Sequence, residues 1–536
     1  MDTRTLAQDL ADALGRLLDG AAERLAEECS VDGALDGERM DAHQPLLYEL
    51  ATLTAALAGG RDLLNVADDG DLALIHLTRV AADAASRLSG RVPLVELDAA
   101  AAALAAGRDP ALIDRVASGV LATGEAGTRG LDDELEMVRQ SFRGFAEERV
   151  GPVAEKVHRE DTDIPEEIIS ELAQMGCFAL SVPAEHGGLA EGGPDELLSM
   201  VVVTEELSRV SLGAAGSLIT RPEIVAAAIA RGGTDEQRER LLPAIASGEL
   251  MAAVAVTEPD AGSDVARMRV TARRDGDGWV IDGVKTWCTF AGRAEALLVL
   301  ARTDGDQRSG HRGLSLFIVE KPRAAGHHFA FRQDDGGSME GRAIPTLGYR
   351  GMHSFEVSFD GWRVGPDALI GGDDGLGRGF YLQMQAFANA RLQTAARAQG
   401  VMQAAIEDAV AYTSARRIFG QLLSELPLTR ERLAGMAATL AACRASAIAV
   451  ARAIATEDPR AAAAASEVKL LACRAAEWVT REAQQMHGGY GYAEEYRVSR
   501  LFVDARVLSI FEGADEVLAL KVVGRGLLAD ALARAA

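Results

Sequence analysis

One acidic residue near the C-terminus stands where a catalytic base could work. The stretch SIFEGADEV, residues 509–517, places Glu512 between an aromatic ring and a glycine. A buried carboxylate is costly unless it is paired, protonated or used in chemistry, so Glu512 is a candidate for proton transfer. The structural alternative is that Glu512 begins a helix, where an acidic side chain interacts well with the helix dipole. Taken alone, the stretch favours that alternative.

Three further segments offer polar or open groups to a ligand. The segment AVTEPDAGSDVARM carries the hydroxyls of Thr257 and Ser263 on either side of a Pro-Asp-Ala-Gly loop. The segment KTWCTF carries Trp287 and Thr289 on one face of a predicted strand. In QMHGGYGY, residues 485–492, glycines end a helix and allow close approach to the backbone. Each segment also has a structural explanation: a tight turn, a core tryptophan and a helix C-cap, respectively.

The composition is ordinary for a globular protein except for its acidity. The chain of 536 residues is 48% hydrophobic and 25% charged, and its 80 acidic and 55 basic residues give a formal net charge of −25. Such a chain repels phosphate backbones and anionic membrane surfaces, which argues against nucleic acid as a partner. The five cysteines and nine histidines form no disulfide or metal-binding spacing, so we expect no metal centre.

The chain carries no obvious targeting signal. The N-terminal stretch MDTRTLAQDLADALGRLL lacks the basic and apolar regions of a signal peptide. No apolar stretch looks long enough to span a membrane, so we expect no membrane insertion. Together with the scattered cysteines, these patterns predict a cytoplasmic protein.

Helical periodicity surrounds one central β-rich region. Residues 1–125 are rich in Ala, Leu and Asp at helical spacing and predict an N-terminal helical domain, with a linker at 118–130. Helical patterns continue over 131–250, alternating apolar and polar residues predict strands over 251–370, and helices return over 371–536. The predicted fold class is therefore mostly α with a central β-domain.

Prolines and turn residues mark the ends of these elements. Pro45, Pro93 and Pro110 predict helix boundaries in the first region, and the helix PEIVAAAIARGG should end at its glycines. In the β-rich region, the Asp-Gly turns within RRDGDGWV predict a hairpin. The runs EALLVLARTD, GLSLFIVEK and SFEVSFDGWRV predict further strands.

These segments occur in the order and spacing of the acyl-CoA dehydrogenase family. ARRIFGQLL, residues 415–423, and IFEGADEV join the three segments above, so five separated motifs agree. The resemblance covers about residues 131–536. It implies a helical domain, a β-barrel-like central domain and a C-terminal four-helix bundle that bind FAD, and it leaves residues 1–125 as an extra N-terminal helical domain. It also implies a homodimer or homotetramer.

The resemblance assigns roles residue by residue. Flavin contacts within one subunit are expected from Thr257, Ser263, Trp287 and Thr289. Contacts to the FAD of a neighbouring subunit are expected from Arg416, Phe419, Gln485, Gly488 and Gly489. Substrate contacts are expected from Ser263, Phe387, Arg391 and Gly513.

The same resemblance changes the interpretation of Glu512. Many members of the family carry their base in an aromatic-Glu-Gly turn, and a carboxylate in a dry pocket is a stronger base than one in water. Other members place the base directly before the arginine of the ANAR segment, and that position here is Ala390. We therefore expect Glu512 to take the α-proton of an acyl-CoA thioester. Two departures, Ala514 and Pro427, replace residues that contact the flavin in many members.

Arg221 bears on the choice of substrate. A substrate with a free carboxylate beyond the thioester needs a cation at the end of the pocket, because an unpaired anion would not be desolvated. Arg221 stands in the segment that lines the acyl cavity in this family; the alternative is a surface arginine at a helix terminus. The expected substrate is a short branched acyl-CoA with a distal carboxylate, and a generic short- or branched-chain acyl-CoA is the alternative.

The resemblance also implies an electron acceptor and suggests two alternative functions. The expected electron acceptor is an electron-transferring flavoprotein. The same fold serves flavoproteins that do not dehydrogenate, including a DNA-associated branch and a flavin monooxygenase branch. The net charge of −25 argues against the first, and the presence of Glu512 argues against both.

Overall fold

The structure is a computed structural model that describes residues 2–67, 69–305 and 307–535, with the side chains of Gln307, Gln385 and Ala535 left aside. It divides into two compact units. The terminal unit combines the chain up to Met137 with the chain from Thr394 onward, and the central unit is Val138–Gln393.

The first region is helical, as predicted. Asp2 begins the first helix by accepting the backbone N–H of Thr5 at 2.7 Å. Pro45 and Pro110 lie in the first turn of their helices and Pro93 lies between two helices, so the three predicted boundaries are confirmed. The described elements of this region are α1 (Thr3–Glu28), β1 (Ser30–Val31), β2 (Ala34–Leu35), α2 (Gly37–Ala42), α3 (Gln44–Asp62), α4 (Gly70–Leu88), α5 (Val95–Ala99), α6 (Ala101–Ala106) and α7 (Pro110–Thr123).

The predicted linker at 118–130 is partly helical. Helix α7 continues through Thr123, because Ala117 and Val120 are buried by neighbouring helices and hold its last turns in place. Gly124 then ends the helix with a left-handed φ of 72°, which favours glycine. The loop that follows is therefore shorter than the linker predicted from the sequence.

The second region is also helical. Pro165 directly precedes one helix, and another ends at its glycine Gly232, as predicted. A third begins with a capping box, in which Thr234 and Gln237 bond each other's backbone N–H groups at 3.2 and 2.9 Å. The described helices are α8 (Asp133–Phe145), α9 (Gly151–Glu160), α10 (Glu166–Gln174), α11 (Pro194–Val210), α12 (Thr220–Gly232) and α13 (Asp235–Ala246).

The third region folds into a mixed sheet in which eight strands are described. Its strands are β3 (Ala252–Ala255), β4 (Thr271–Asp275), β5 (Gly278–Thr289), β6 (Ala296–Arg302), β7 (Leu314–Glu320), β8 (His328–Arg332), β9 (Ser338–Ala343) and β10 (Ser354–Val364). The order is β3-β6-β4-β5-β10-β9-β8, and β7 pairs with β6. The predicted hairpin is β4–β5, with Gly276 at a φ of 64° in its two-residue turn.

Three of these strands have no counterpart in the sequence prediction. Strand β3 is four residues long, too short for a clear alternation. Strands β8 and β9 pair at the edge of the sheet, and Gly341 on β9 lies under the ring of Phe329 on β8, where a Cβ would approach to 2.2 Å. A strand that needs a glycine in its interior gives a weak propensity signal.

The last region is helical again. The exposed side chain of Phe419 lies in the turn of a short hairpin, at a φ of 48°. The described elements are α14 (Gly379–Ala415), β11 (Arg417–Ile418), β12 (Gln421–Leu422), α15 (Pro427–Ala455), α16 (Ala461–Met486), α17 (Arg497–Leu508), α18 (Asp515–Val517) and α19 (Arg525–Ala535).

Within the terminal unit, the N-terminal helices pack directly on α16. The hydroxyl of Tyr48 on α3 accepts a hydrogen bond from Arg474 at 2.6 Å. The guanidinium of Arg79 on α4 lies 4.1 Å from the centre of the Trp478 ring, a favourable cation–π contact. The first and last regions of the chain therefore share one core.

Among the residues that the structure describes, two helical segments are apolar enough to cross a membrane by length and composition alone, Leu212–Gly232 and Pro427–Ala455. The sequence prediction that no stretch has this length was therefore wrong. In the structure, 94% of each apolar window is buried in protein. Helices in the core of a soluble protein have the same property, because their apolar faces are used in packing.

Two partly buried acids, Asp62 on α3 and Glu467 on α16, make the terminal unit sensitive to pH. Burial raises the pKa of Glu467 to about 7; Arg460 opposes this shift, and the carboxylates of Asp62 and Asp530 add to it. Burial also raises the pKa of Asp62, and a hydrogen bond from Ser446 at 2.7 Å opposes that change. A raised pKa means that the folded state holds protons which the unfolded state has released. This stabilisation is present below about pH 4.5 and is lost as the pH rises towards 7.

Glu467→Gln should therefore stabilise the protein at alkaline pH. Glutamine keeps the shape of a protonated glutamic acid and carries no charge that burial would desolvate. We expect the apparent Tm of the variant to match the wild type near about pH 5 and to exceed it by about 2–5 °C near about pH 8. Thermal denaturation at several pH values measures the difference. Glu494→Gln, at an exposed acid, is the control, and a Tm difference that does not grow with pH would contradict the assignment.

Candidate active site

A buried lysine fixes the loop that carries Thr257. Lys285 on β5 is fully buried, and its ammonium donates to the carbonyl of Val256 and to the carboxylate of Glu258, both at 2.8 Å. Burial lowers the pKa of Lys285, and the ion pair with Glu258 opposes this shift. Lys285 thus holds Val256 and Glu258, the residues on either side of Thr257. The carbonyl of Thr257 accepts the N–H of Thr286 at 2.8 Å. Thr257 therefore lies beside the end of β5.

The end of β5 presents Trp287 to solvent. Trp287 is 55% exposed and has a φ of 58°. A non-glycine residue in this left-handed region costs on the order of 1–3 kcal/mol, so the surrounding fold must impose the conformation. Thr289 is buried, and its hydroxyl lies 2.9 Å from that of Ser354, its paired residue on β10. The alternative of a core tryptophan is therefore wrong.

This surface has the properties that a flavin would need. A flat aromatic ring system could cover the exposed indole of Trp287, since aromatic rings stack favourably and a large open indole is unusual. The hydroxyl of Thr289, two residues further along β5, supplies a hydrogen-bonding group. Ser263 is exposed in the loop that follows Thr257, where a ligand could reach it.

A second group of predicted residues lines a cavity of about 610 Å³ in the terminal unit. Arg416, Gly488 and Gly489 all contribute to its wall. Nothing lies within 4 Å of a Cβ built at either glycine, so a ligand could approach their backbone closely. Phe419 is 97% exposed in the hairpin that begins after Arg416, and Gln485 is exposed one turn before Gly488. The structure thus brings Arg416, Gly488 and Gly489 together in one cavity, and Phe419 and Gln485 are exposed next in sequence to residues of its wall.

Glu512 lies in a turn and not at the start of a helix. Helix α17 ends at Leu508, and Glu512 has a φ of 53°. Gly513 follows at 99°, and a Cβ there would approach the side chain of Leu518 to 2.9 Å, so only glycine fits. The left-handed conformation costs Glu512 roughly 1–2 kcal/mol, which the surrounding contacts must offset. Its carboxylate is half-buried.

Lys469 on α16 holds this turn. Its side chain is fully buried, and its ammonium donates to the carbonyl of Gly513 at 2.7 Å and lies 3.3 Å from the carboxylate of Asp515. Burial raises the pKa of Asp515, and the charge of Lys469 opposes this shift. The contacts fix the residues on the C-terminal side of Glu512. Sequence reasoning missed Lys469, because a single lysine within a helix gives no spacing signal.

Arg221 is buried on α12, with an exposed fraction of 6%. The alternative of a surface arginine is therefore wrong. Its helix is anchored by a buried polar network, in which Thr220 donates to the side chain of Gln393 at 2.7 Å and Gln393 donates to Glu223 at 2.5 Å. Glu223 is itself 1% exposed, so a carboxylate and a guanidinium are buried two residues apart on the same helix.

Because α12 packs against α14, Arg221 and Arg391 lie at the same end of this helix pair. The end of α12 at Gly232 packs against Leu382, close to the start of α14. The start of α12 reaches Gln393 instead, through the hydrogen bond described above. The two helices therefore run antiparallel, and Arg221 lies at the same end of the pair as Arg391.

One face of α14 carries Gln383, Phe387 and Arg391 at a spacing of four residues. Phe387 packs half-buried against the apolar core of the central unit. Gln383 is fully buried, and neither of its amide atoms has a hydrogen-bond partner in the described part of the chain. The hydroxyls of Thr204 and Ser208 on α11 share this property among the described residues. Buried polar groups are normally satisfied, so these mark positions where a polar ligand or ordered water belongs.

The chain matches three domains that are defined for one enzyme family. They are the acyl-CoA dehydrogenase N-terminal domain over residues 132–249, the middle domain over 253–362 and the C-terminal domain over 377–528. The chain belongs to the acyl-CoA dehydrogenase family, whose members are FAD-dependent oxidoreductases that act on CH–CH bonds.

Three individual proteins show which members of the family this chain resembles. The (2S)-methylsuccinyl-CoA dehydrogenase of Cereibacter sphaeroides is 38% identical over 561 aligned residues, which cover 98% of each chain. The structure of butyryl-CoA dehydrogenase from Megasphaera elsdenii is similar with a TM-score of 0.67 and 28% identity, covering 74% of this chain and 99% of that one. A glutaryl-CoA dehydrogenase from Mycobacterium smegmatis in complex with FADH2 has a TM-score of 0.63 and 26% identity, covering 74% and 95%.

The role of Lys469 is best tested in a variant that leaves no buried charge unpaired. In Lys469→Met/Asp515→Asn both charges are gone, yet the carbonyl of Gly513 still lacks its donor. We expect this variant to keep its fold and bound flavin but to turn over its acyl-CoA substrate about 10–100-fold more slowly, because Glu512, the candidate base, would be displaced and a displaced base reacts poorly. Steady-state kcat and the rate of flavin reduction measure the effect.

The control for this test is Lys521→Met, at an exposed lysine that pairs with Asp41 at 2.8 Å. It also removes a lysine ion pair from the terminal unit, but this ammonium is exposed and pairs with Asp41 instead of a group of the turn. We expect its kcat to be unchanged. A normal kcat in the double variant would show that Lys469 only neutralises Asp515.

Proposed function

We propose that this protein is an FAD-dependent dehydrogenase that converts (2S)-methylsuccinyl-CoA to mesaconyl-CoA in the cytoplasm, as a step of the ethylmalonyl-CoA route of acetyl-CoA assimilation. The observation that carries the proposed chemistry is the left-handed turn at Glu512, held by a buried lysine at Gly513. The substrate is suggested by the methylsuccinyl-CoA dehydrogenase relative, which matches this chain along 98% of its length, including the N-terminal helices.

Glu512 is the proposed base. The α-proton of a thioester is weakly acidic, so its removal needs a carboxylate that is held in place beside the α-carbon. The enolate-like charge that develops on the thioester oxygen would be stabilised by a backbone N–H of the turn, at Gly513. A bound flavin supplies the acceptor for the hydride that leaves the β-carbon. The bound substrate excludes water from the base, which favours proton transfer over exchange with solvent.

Two surfaces of the chain would hold the FAD. Within one subunit, Trp287 offers an exposed indole and Thr289 a hydroxyl for the flavin ring. The cavity at Arg416 would receive the FAD of a neighbouring subunit, because a guanidinium binds phosphate oxygens and open glycine backbone permits close approach. The very exposed Phe419 supports this, since a large apolar ring left open to solvent suits a partner surface. The protein would thus act as a homo-oligomer and pass its electrons to an electron-transferring flavoprotein.

Arg221 is the proposed receptor for the distal carboxylate of the substrate. Arg391 lies at the same end of the helix pair, so a second guanidinium can contribute to binding an anion. A competing partner for either arginine is Glu223, which is also buried on α12. The amide of Gln383 and the hydroxyls of Thr204 and Ser208 are further buried groups that a polar acyl chain could satisfy.

The alternative is a generic short- or branched-chain acyl-CoA substrate. It is supported by the similarity to butyryl-CoA dehydrogenase, whose substrate carries no second carboxylate. In that case the two arginines would serve only to neutralise buried carboxylates of the protein. The two proposals differ in what they expect from Arg221, and not in what they expect from Glu512.

Glu512→Gln should leave FAD bound and the fold intact but remove most of the activity. The amide keeps the shape of the side chain yet cannot accept the α-proton, and loss of a general base costs roughly 10²–10⁴-fold or more. Anaerobic bleaching of the flavin by substrate measures this step directly. Glu516→Gln, at an exposed acid on the next turn, is the matched control and should react normally. Near-normal flavin reduction in Glu512→Gln would refute the assignment of the base.

Arg221→Gln should discriminate between charged and uncharged substrates. If Arg221 meets the distal carboxylate, its loss leaves that charge desolvated without a partner, at a cost on the order of 2–5 kcal/mol. We expect kcat/KM for methylsuccinyl-CoA to fall by roughly a hundredfold, since each 1.36 kcal/mol is about tenfold. The uncharged ester isobutyryl-CoA should be used as well as before or better.

The matched control is Arg231→Gln, at an exposed arginine on the same helix. It should leave kcat/KM for both esters unchanged. Equal losses with the two esters in Arg221→Gln would mean that Arg221 serves the protein's own carboxylates, and they would favour the generic short-chain alternative.

A further inference from the structure

Three polar side chains from separate segments meet at one place in the central unit. Asp161 follows α9, His327 precedes β8 and His353 precedes β10. One carboxylate oxygen of Asp161 lies 3.7 Å from Nε2 of His327, and the other lies 3.7 Å from Nδ1 of His353. The two imidazole rings are 4.4 Å apart and nearly perpendicular, at 87°. All three candidate ligand atoms lie within 4.8 Å of one another.

We propose that Asp161, His327 and His353 bind a divalent transition-metal ion, with Zn²⁺ as the best match. Two imidazoles and one carboxylate are a common ligand set for zinc. At metal–ligand distances of about 2.0–2.1 Å, two ligand atoms of a tetrahedral site are about 3.4 Å apart. The two carboxylate–imidazole distances are 3.7 Å, each to a different oxygen of Asp161, and the three ligand atoms lie within 4.8 Å of one another, so a bound ion would draw them closer together. The side chain of His327 is 50% exposed, which leaves a route for the ion and a position for water.

A fourth residue, Asp163, lies beside the ring nitrogen of His353 that does not face Asp161. Nε2 of His353 lies 3.0 Å from a carboxylate oxygen of Asp163, at an angle outside hydrogen-bond geometry. The other oxygen of Asp163 accepts the backbone N–H of Gly326 at 2.6 Å, directly before His327. A histidine that binds a metal through one nitrogen commonly donates its other N–H to a carboxylate, which fixes the ring. The buried ring of His353 has its second nitrogen beside such a carboxylate, and a small rotation would complete the bond.

The one cation beside these ligands in the described chain does not fill the gap between them. Nε of Arg350 lies 3.8 Å from Asp161, but the same guanidinium donates to the carbonyls of Thr346 at 3.1 Å and His158 at 3.0 Å. The carboxylate oxygen that faces His327 is the other one. Arg350 therefore reduces the affinity of the site for a metal by charge repulsion without occupying the ligand positions.

The proposed site adjoins the strand end that would contact the flavin. The carbonyl of His353 accepts the N–H of Phe290 at 2.8 Å, and the next residue, Ser354, bonds Thr289. A metal bound to His353 would tie α9 and β8 to this strand end and hold it in place. The binding itself does not depend on the proposed reaction, and the ligands come from segments too far apart in sequence to form a metal motif.

Metal titration of the flavin-loaded protein tests the proposal after treatment with a chelator and dialysis. Co²⁺ serves as an optical probe and Zn²⁺ is titrated by calorimetry. We expect saturable binding of one ion per subunit, with a visible Co²⁺ spectrum typical of a tetrahedral site. His327→Gln and Asp161→Asn should each lower the affinity at least tenfold, and Asp163→Asn should lower it about 10–100-fold through the orientation of His353.

The matched control is His328→Gln, at the neighbouring exposed histidine, which pairs with Glu340 at 3.1 Å instead. It should bind both ions as the wild type does. Because His327 and Asp161 are at least partly exposed, their variants should fold, and an unchanged flavin content verifies this. Absence of saturable binding in the wild type, or equal binding by His327→Gln and His328→Gln, would overturn the proposal.

Discussion

Buried ammonium groups that donate to backbone carbonyls hold the loops on which the candidate active site depends. The chain has only five lysines among its 55 basic residues, and Lys285, Lys321 and Lys469 are buried. The first and third fix the loops of Thr257 and Glu512, as described above. Lys321 donates to the carbonyls of Gly292 and Ala294 at 3.0 and 2.6 Å, in the loop that follows the strand end with Trp287 and Thr289.

The choice of lysine over arginine at these positions has a physical reason. An ammonium is compact and offers three donors in directions that can converge on carbonyls of one tight loop, whereas a guanidinium needs a planar fork of acceptors. Burial of an ammonium is costly, and for Lys321 it lowers the pKa to about 8. The protein bears this desolvation cost at three loops of the candidate site. We infer that these loops must be rigid. The arginines, by contrast, supply most of the ion pairs at the surface.

Part of this organisation could be predicted from the sequence. Helix boundaries at prolines and the β4–β5 hairpin were predicted correctly, because each depends on local residue chemistry. The missed strands β8 and β9 depend on packing at a sheet edge, and the helical turns at 118–123 depend on burial by neighbouring helices. Lys469 and Gln383 could not be recognised either, because their roles depend on contacts with residues that are distant in sequence. Arg221 shows the intermediate case: its residue type suggested a role, and only its burial excluded the surface alternative.

The shared core of the terminal unit has a consequence for how the chain emerges from the ribosome. Helices α3 and α4 are synthesised early, but the helix that covers them, α16, lies beyond the whole central unit in the sequence. At about 5–20 residues per second, the roughly 250 residues of the central unit take roughly 13–50 s to synthesise. The central unit is continuous in sequence and could fold during that interval, while the apolar faces of the first helices wait for their partner. Nascent chains of this protein should therefore rely on chaperones at their N-terminal end more than their compact final form suggests.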